Sequence, residues 1–212
     1  MTKKRQGNRF AVPALAIAAL LALAAFALLP DADSNVNEKA VIGAPGDYDV
    51  GDIAVINDMI DNNDLAWMKS PTDGSAVDPS WTGIIWDGAS TGQRVTYVNL
   101  YDESLTGALD VTGLTALEYL DCYYNQIASL DVTGLTALES IDCGGNELTS
   151  LDLTGCSALK SLYCDSNKLT SLDVSPCPSL EELYCDNNKL ASLTLTGLTA
   201  LSILDCSYNE LV

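Results

Sequence analysis

The chain has 212 residues, of which 29 are acidic, 10 are basic and none is histidine, for a formal net charge of −19 at pH 7. All 29 acids but only six of the basic residues follow position 30, so that part of the chain carries −23, a poor surface for nucleic acid or anionic lipid. Without histidine, a phosphate loop or a nucleophile elbow, the sequence offers no nucleophile–base pair, so it implies no enzyme, no cofactor and no metal centre.

Residues 1–9 hold Lys3, Lys4, Arg5 and Arg9 and no acid, and residues 10–29 (FAVPALAIAALLALAAFALL) hold no charge. A basic stretch before an apolar one is an export signal. It is either a signal peptide cleaved near Ala25-Phe26-Ala27 or a retained N-terminal anchor, since about 20 apolar residues also suffice to span a bilayer. In both cases the basic end stays cytoplasmic and everything after Pro30 is outside, secreted or at the cell surface. Membrane contact is then confined to this segment. Residues 31–45 (DADSNVNEKAVIGAP) are polar and read as a linker.

Residues 46–94 read as a cap. Ile53, Ile56 and Ile60 have helical spacing, with Asp52 as a natural N-cap. The stretch Asp47-Tyr48-Asp49-Val50-Gly51-Asp52, with Asp58, also resembles the calcium loop of dockerins and EF-hands, but Gly and Asp are exchanged at its fifth and sixth positions. Helix capping explains the same aspartates. A Pro/Gly/Ser/Asp-rich loop leads to Trp81-Thr82-Gly83-Ile84-Ile85-Trp86 and then Arg94-Val95-Thr96-Tyr97-Val98-Asn99-Leu100. Tryptophans and isoleucines suit the covering of an open apolar end, and Trp67, Trp81 and Trp86 are also candidates for sugar contact.

From Leu117 the chain repeats itself. Leu117, Leu138, Leu159, Leu180 and Leu201 each open a copy of L-x-x-L-x-C-x-x-N-x-L-x-x-L-x-[VL], 21 residues apart. A fixed period of this length predicts a solenoid whose units bury their apolar sides only against each other. Alternation around Leu120, Ile141, Leu162, Leu183 and Leu204 predicts a short strand in every copy, stacked in register as a parallel sheet. Asn125, Asn146, Asn167, Asn188 and Asn209 stand where the chain leaves each strand. Their amides can serve backbone groups of two coils, which makes the column structural. The returning halves carry Gly or Pro and β-branched residues, and predict extended chain, turns or 3₁₀ helix with Leu130, Val132 and Leu135 inward. Val95 to Ala116 forms a longer first repeat with Glu103 in the asparagine position.

Over residues 95–212 the pattern resembles the leucine-rich repeat family, whose motif is L-x-x-L-x-L-x-x-N-x-L, with cysteine at its sixth position here. The preceding segment is similar to the N-terminal cap of extracellular members, W-x-G-[VI]-x-[CW] followed by R-V-x-x-L-x-L. The matching residues are Trp81, Gly83, Ile84, Trp86, Arg94, Val95, Val98 and Leu100, and the paired cysteines of plant-type caps are missing. The resemblance implies an α/β-type leucine-rich repeat solenoid, with short parallel strands in a curved sheet and a small helical N-terminal cap. It also implies that the outward strand face is the concave, partner-binding one. The expected organisation is a signal or anchor at 1–30, a linker at 31–45, a cap at 46–94 and about five and a half repeats at 95–212. The last copy stops at Leu211-Val212, within a repeat and without a cap, so a truncated reading or a longer natural protein is expected.

Cys122, Cys143, Cys164, Cys185 and Cys206 fill the sixth position, and Cys156 and Cys177 take places where other copies have Leu135 and Leu198. Both are apolar columns, so small buried hydrophobes are expected. In-register neighbours point the same way, which suits disulfides poorly, and zinc spacing is absent.

Two surface patterns remain. Asp110, Asp131, Asp152 and Asp173 form a column of like charge, for which turn capping is the default and a calcium ladder the alternative. The outward strand face varies between copies while the buried columns hardly do. Its candidate partner-binding residues are Tyr119, Asp121, Tyr123, Tyr124, Asp142, Tyr163, Asp165, Glu182, Tyr184, Asp186, Asp205 and Tyr208. Tyrosine supplies large contact area with a polar tip at low entropic cost. The leading functional reading is an exported, non-catalytic module that binds a protein on this face, with a glycan as second candidate. The alternative is a structural or adhesive surface protein that self-associates, with calcium as a candidate participant.

Overall fold

The computed structural model describes residues 41–42, 47–63 and 65–212. Residues 1–30, read from the sequence as a signal or anchor, lie outside the described residues, and no described helix is long and apolar enough to cross a membrane. Val41 and Ile42, expected within the linker, form strand β1 (Val41–Ile42), paired antiparallel with β2 (Ala76–Val77).

The cap is built on helix α1 (Val50–Asn63), which buries Ile53, Ile56, Met59 and Ile60. Its N-cap is Asp49, not Asp52. The Asp49 carboxylate accepts the N–H groups of Gly51 (2.9 Å) and Asp52 (3.0 Å), two of the donors a helix start leaves unpaired. Asp52, one turn position further on, is fully buried. It accepts from Arg94 Nε at 2.9 Å, Arg94 Nη2 at 2.8 Å and the Val95 N–H at 2.7 Å. Residues 50–58 are therefore helix rather than a calcium loop, and Asp52 is committed to Arg94.

Strands β3 (Ile84–Trp86) and β4 (Val95–Asn99) pair antiparallel and bring the chain from the cap into the repeats. Gly83 is required at this crossing. A Cβ there would lie 2.1 Å from the Asn99 carbonyl oxygen, while the Asn99 N–H donates to the Gly83 oxygen at 2.8 Å. Trp81 closes the cap with its indole N–H donating to the Met68 oxygen at 2.7 Å.

Beyond β4 every coil adds one parallel strand: β6 (Tyr119–Asp121), β8 (Ser140–Asp142), β9 (Ser161–Tyr163), β10 (Glu182–Tyr184) and β11 (Ile203–Asp205). The seven-stranded sheet runs β11-β10-β9-β8-β6-β4-β3. Register is unbroken across the stack, with Val98, Leu120, Ile141, Leu162, Leu183 and Leu204 in one row. On the return side β5 (Thr106–Asp110) and β7 (Gln126–Asp131) pair parallel, and later coils continue as turns with single bridges, as extended chain and turns had been expected.

The asparagines join the coils. Asn146 donates to the carbonyls of Cys122 (2.9 Å) and Cys143 (3.1 Å) and accepts the Ile127 N–H at 3.0 Å. Asn125, Asn167, Asn188 and Asn209 repeat the arrangement. Leu117, Leu138, Leu159 and Leu180 pack inside with no exposure, as do Cys122, Cys143, Cys156, Cys164, Cys177 and Cys185. All seven cysteines are free thiols, and only Cys206 is partly exposed. Burial pushes the Cys156 thiol up to about 11 and the Cys177 and Cys185 thiols up to about 12, and drives Cys122, Cys143 and Cys164 well above the ordinary range.

Iodoacetamide at neutral pH should therefore label Cys206 alone in the folded chain and the other six only after denaturation, as counted by intact mass. Replacing Arg94 by alanine leaves a fully buried carboxylate without its counter-ion. A urea titration should show a loss of about 3 kcal/mol, and a change below about 1 kcal/mol would remove the pair from the list of cap determinants.

Candidate functional site

The stacking that hides the leucines also lines up the outward residues. Each strand and the turn after it contribute four outward positions. The first holds Tyr97, Tyr119, Ser140, Ser161, Glu182 and Ile203, in register across the sheet. The second holds Asn99, Asp121, Asp142, Tyr163, Tyr184 and Asp205 in the same register. Two residues on come Tyr101, Tyr123, Gly144, Asp165, Asp186 and Ser207, and then Asp102, Tyr124, Gly145, Ser166, Asn187 and Tyr208.

The aspartates of the second position shape the turns. Asp121 accepts the Tyr123 N–H at 3.0 Å, Asp142 the Gly144 N–H at 3.0 Å and Asp205 the Ser207 N–H at 3.1 Å. Asn99 does the same for Tyr101 at 2.9 Å. The fourth position is left-handed, with φ near 60° at Asp102, Tyr124, Gly145, Ser166, Asn187 and Tyr208. That conformation turns the chain out of the strand and projects Tyr124 and Tyr208 into solvent, at 54% and 79% exposure.

Not every candidate faces water as expected. Asp142, Tyr163, Asp165 and Asp186 are all buried. Strands about 4.8 Å apart leave little room between successive rows, so side chains of adjacent coils cover these groups. Tyr119, Asp121, Tyr123, Glu182, Tyr184 and Asp205 are half-buried.

The tyrosines pair between coils. Tyr163 and Tyr184 stack with centroids 5.1 Å apart and planes at 16°, and Tyr101 and Tyr123 with centroids 5.8 Å apart and planes at 9°. Tyr123 also meets Tyr124 at 6.0 Å, and Tyr97 meets Tyr119 at 6.4 Å. Tyr97 and Tyr101 were not among the sequence candidates. Counting back 22 rather than 21 residues through the longer first repeat would have found them in the columns of Tyr119 and Tyr123. Charge is tied to the rings: Tyr163 donates to Glu182 Oε2 at 2.7 Å and Tyr119 to Glu139 Oε2 at 3.4 Å. Burial and the Glu182 hydrogen bond hold the Tyr163 phenol well above its usual range. Lys160, the cation within this face, is paired with Glu139 at 2.8 Å.

The opposite side carries the Asp110, Asp131, Asp152 and Asp173 column. Each carboxylate accepts the N–H two residues on, from Thr112, Thr133, Thr154 and Ser175, at 2.9–3.0 Å. The Thr154 and Ser175 side chains, together with these N–H bonds, hold the Asp152 and Asp173 carboxyls below their ordinary value. The column is turn capping.

Residues 115–155 and 157–197 match the family described as Leucine Rich repeats (2 copies). The functional domain of InlJ from Listeria monocytogenes, which includes a cysteine ladder, is 42% identical, with 55% of this chain and 26% of that one covered and a TM-score of 0.53. This chain thus spans about a quarter of the length of that structure. The LRR ectodomain of the receptor kinase SOBIR1 from Arabidopsis thaliana shares the fold at 22% identity, with 78% of this chain and 96% of that one covered and a TM-score of 0.63. No curated protein matches the sequence. No enzyme family is evident in the repeats. Over residues 115–155 and 157–197 the chain is thus similar to the leucine-rich repeat family, and its described residues form a solenoid of that type with a column of buried cysteines.

Proposed function

We propose that the chain is an exported, non-catalytic recognition module that binds a protein partner on the outward face of its parallel sheet. The observation that carries this reading is the run of tyrosines on one side of the stack. Tyr101, Tyr124 and Tyr208 are large, exposed aromatics, and Tyr119, Tyr123 and Tyr184 are half-exposed beside them. Aromatic side chains that stand in solvent while the apolar core is closed elsewhere are the usual anchors of protein interfaces. The likeness to the InlJ functional domain, which includes a cysteine ladder, supports reading the repeats as a working module. The accessible members, Tyr119, Tyr123, Tyr124, Tyr184 and Tyr208 with Asp121, Glu182 and Asp205, form the contact surface. Buried Asp142, Asp165 and Asp186 hold it in shape from beneath. A glycan is the second candidate partner.

Replacing Tyr123, Tyr124 and Tyr184 together by alanine should abolish capture of a protein partner from cell-surface extracts. Far-ultraviolet circular dichroism should stay that of the parent. Capture at parental level by the folded variant would remove the face from this reading.

A second reading, a structural surface protein whose copies associate, draws on a separate observation. Asp110, Asp131, Asp152 and Asp173 stand exposed in one column of like charge, which a second copy would approach only with cations between. Sedimentation of the chain should then show a concentration-dependent rise in mass, which a chelator would diminish if calcium takes part. A constant monomer mass across concentrations would count against it.

A further inference from the structure

The cap-proximal end of the outward face has a chemical character that the other end lacks. Between Arg94 and Lys160 the chain carries ten carboxylates, three of them (Asp110, Asp131 and Asp152) on the opposite side, and no lysine or arginine. In that stretch lie Tyr101, Tyr123 and Tyr124, whose rings form one cluster. Tyr101 and Tyr124 are 51% and 54% exposed, and exposed Asp102 and Glu103 flank Tyr101.

Gly144 and Gly145 make the cluster possible. A Cβ on Gly144 would lie 3.2 Å from Tyr123 Cδ2, 2.9 Å from Asp165 Oδ1 and 3.3 Å from Asp142 Oδ1. The edge of the Tyr123 ring and two buried carboxylates therefore converge on the space that a side chain would fill. The Tyr124 N–H donates to the Gly144 oxygen at 3.0 Å, which fixes the left-handed turn and the outward pose of the ring. The cluster is thus a set of aromatic faces held in a strongly negative field with no lysine or arginine from its own coils.

We propose that this cluster takes a basic, arginine-bearing segment of a protein partner, with a guanidinium lying on the Tyr101, Tyr123 and Tyr124 rings. The proposal rests on the reading of this face as a protein-binding surface, and charge complementarity selects the occupant. A cation over an aromatic face is attracted by the ring quadrupole, and surrounding carboxylates add to that attraction. Arginine fits better than lysine because its planar group stacks on a ring while its edges stay free to donate to carboxylates. An acidic or phosphorylated segment would meet repulsion from the same groups. A neutral sugar could stack on the rings but would gain nothing from the charge.

The test is fluorescence anisotropy with the full chain and four labelled probes: ten-residue peptides of arginine, lysine and glutamate, and a neutral N-acetylglucosamine oligomer. The arginine peptide should bind several-fold more tightly than the lysine peptide, and the other two should not bind. The Tyr101→Ala/Tyr124→Ala variant should weaken arginine-peptide binding roughly tenfold, from the loss of two cation–π contacts. The Tyr101→Phe/Tyr124→Phe variant should keep it, and Asp131→Asn/Asp152→Asn, on the opposite side, should change it less than twofold. Equal binding of the two basic peptides with no effect of the tyrosine variants would overturn the proposal, as would loss of binding that follows the Asp131/Asp152 charges. Binding of the sugar alone would overturn it in favour of a glycan. A captured protein partner that needs the tyrosines but is not displaced by the arginine peptide would sink the basic segment while leaving the protein-binding face intact.

Discussion

The rest of the structure depends on the asparagine amide between coils. Where the chain leaves a strand, the backbone turns sharply and its carbonyls and N–H groups have no ladder partner. Asn146 serves one carbonyl in its own coil, one in the coil before and an N–H in the coil before. Leaving such buried groups unpaired would cost about 1–3 kcal/mol each. No coil can satisfy its own turn, so coils exist only as a stack. The leucine and cysteine columns fill the interior of that stack, and the outward rows follow from the same register. Tyr163 meets Tyr184 because the coils beneath them are fixed at one spacing.

Most of the solenoid was legible in the sequence, because period, buried columns and asparagines all report nearest-neighbour contacts at constant separation. What the sequence hid came from contacts at long or irregular separation. Asp49 and Asp52 are both acids near a helix start. Only Arg94, 42 residues away, decides that Asp52 is buried in an ion pair and leaves capping to Asp49. The pairing of Val41 and Ile42 with Val77 and Ala76 has no local signal, so a strand read as linker. On the strand face, alternation marks Asp142 as outward, yet it is buried, as are Asp165 and Asp186 in the turns after their strands. Direction is a property of one strand, whereas burial depends on the size of the residues in the neighbouring coils.

The two aspartate sets show how an acidic chain tolerates repetition. Identical residues in stacked coils must stand close together, and like charges then repel. On the return side the solution is exposure plus a turn hydrogen bond at each step, at Asp110, Asp131, Asp152 and Asp173. On the strand side the column is interrupted: Asp121 and Asp142 give way to Tyr163 and Tyr184 before Asp205. The interruption spares the sheet five successive carboxylates and creates its tightest aromatic stack.

Every junction from β6 to β11 uses the same donors and acceptors, while the cap end is closed by the antiparallel crossing at Gly83. Duplication of a single 21-residue unit in the gene would therefore slot in without disturbing either flank. Each such insertion would lengthen the outward surface by one step of about 4.8 Å. Reach toward a partner can evolve in whole increments, independently of the cap and of the chemistry written on any one coil.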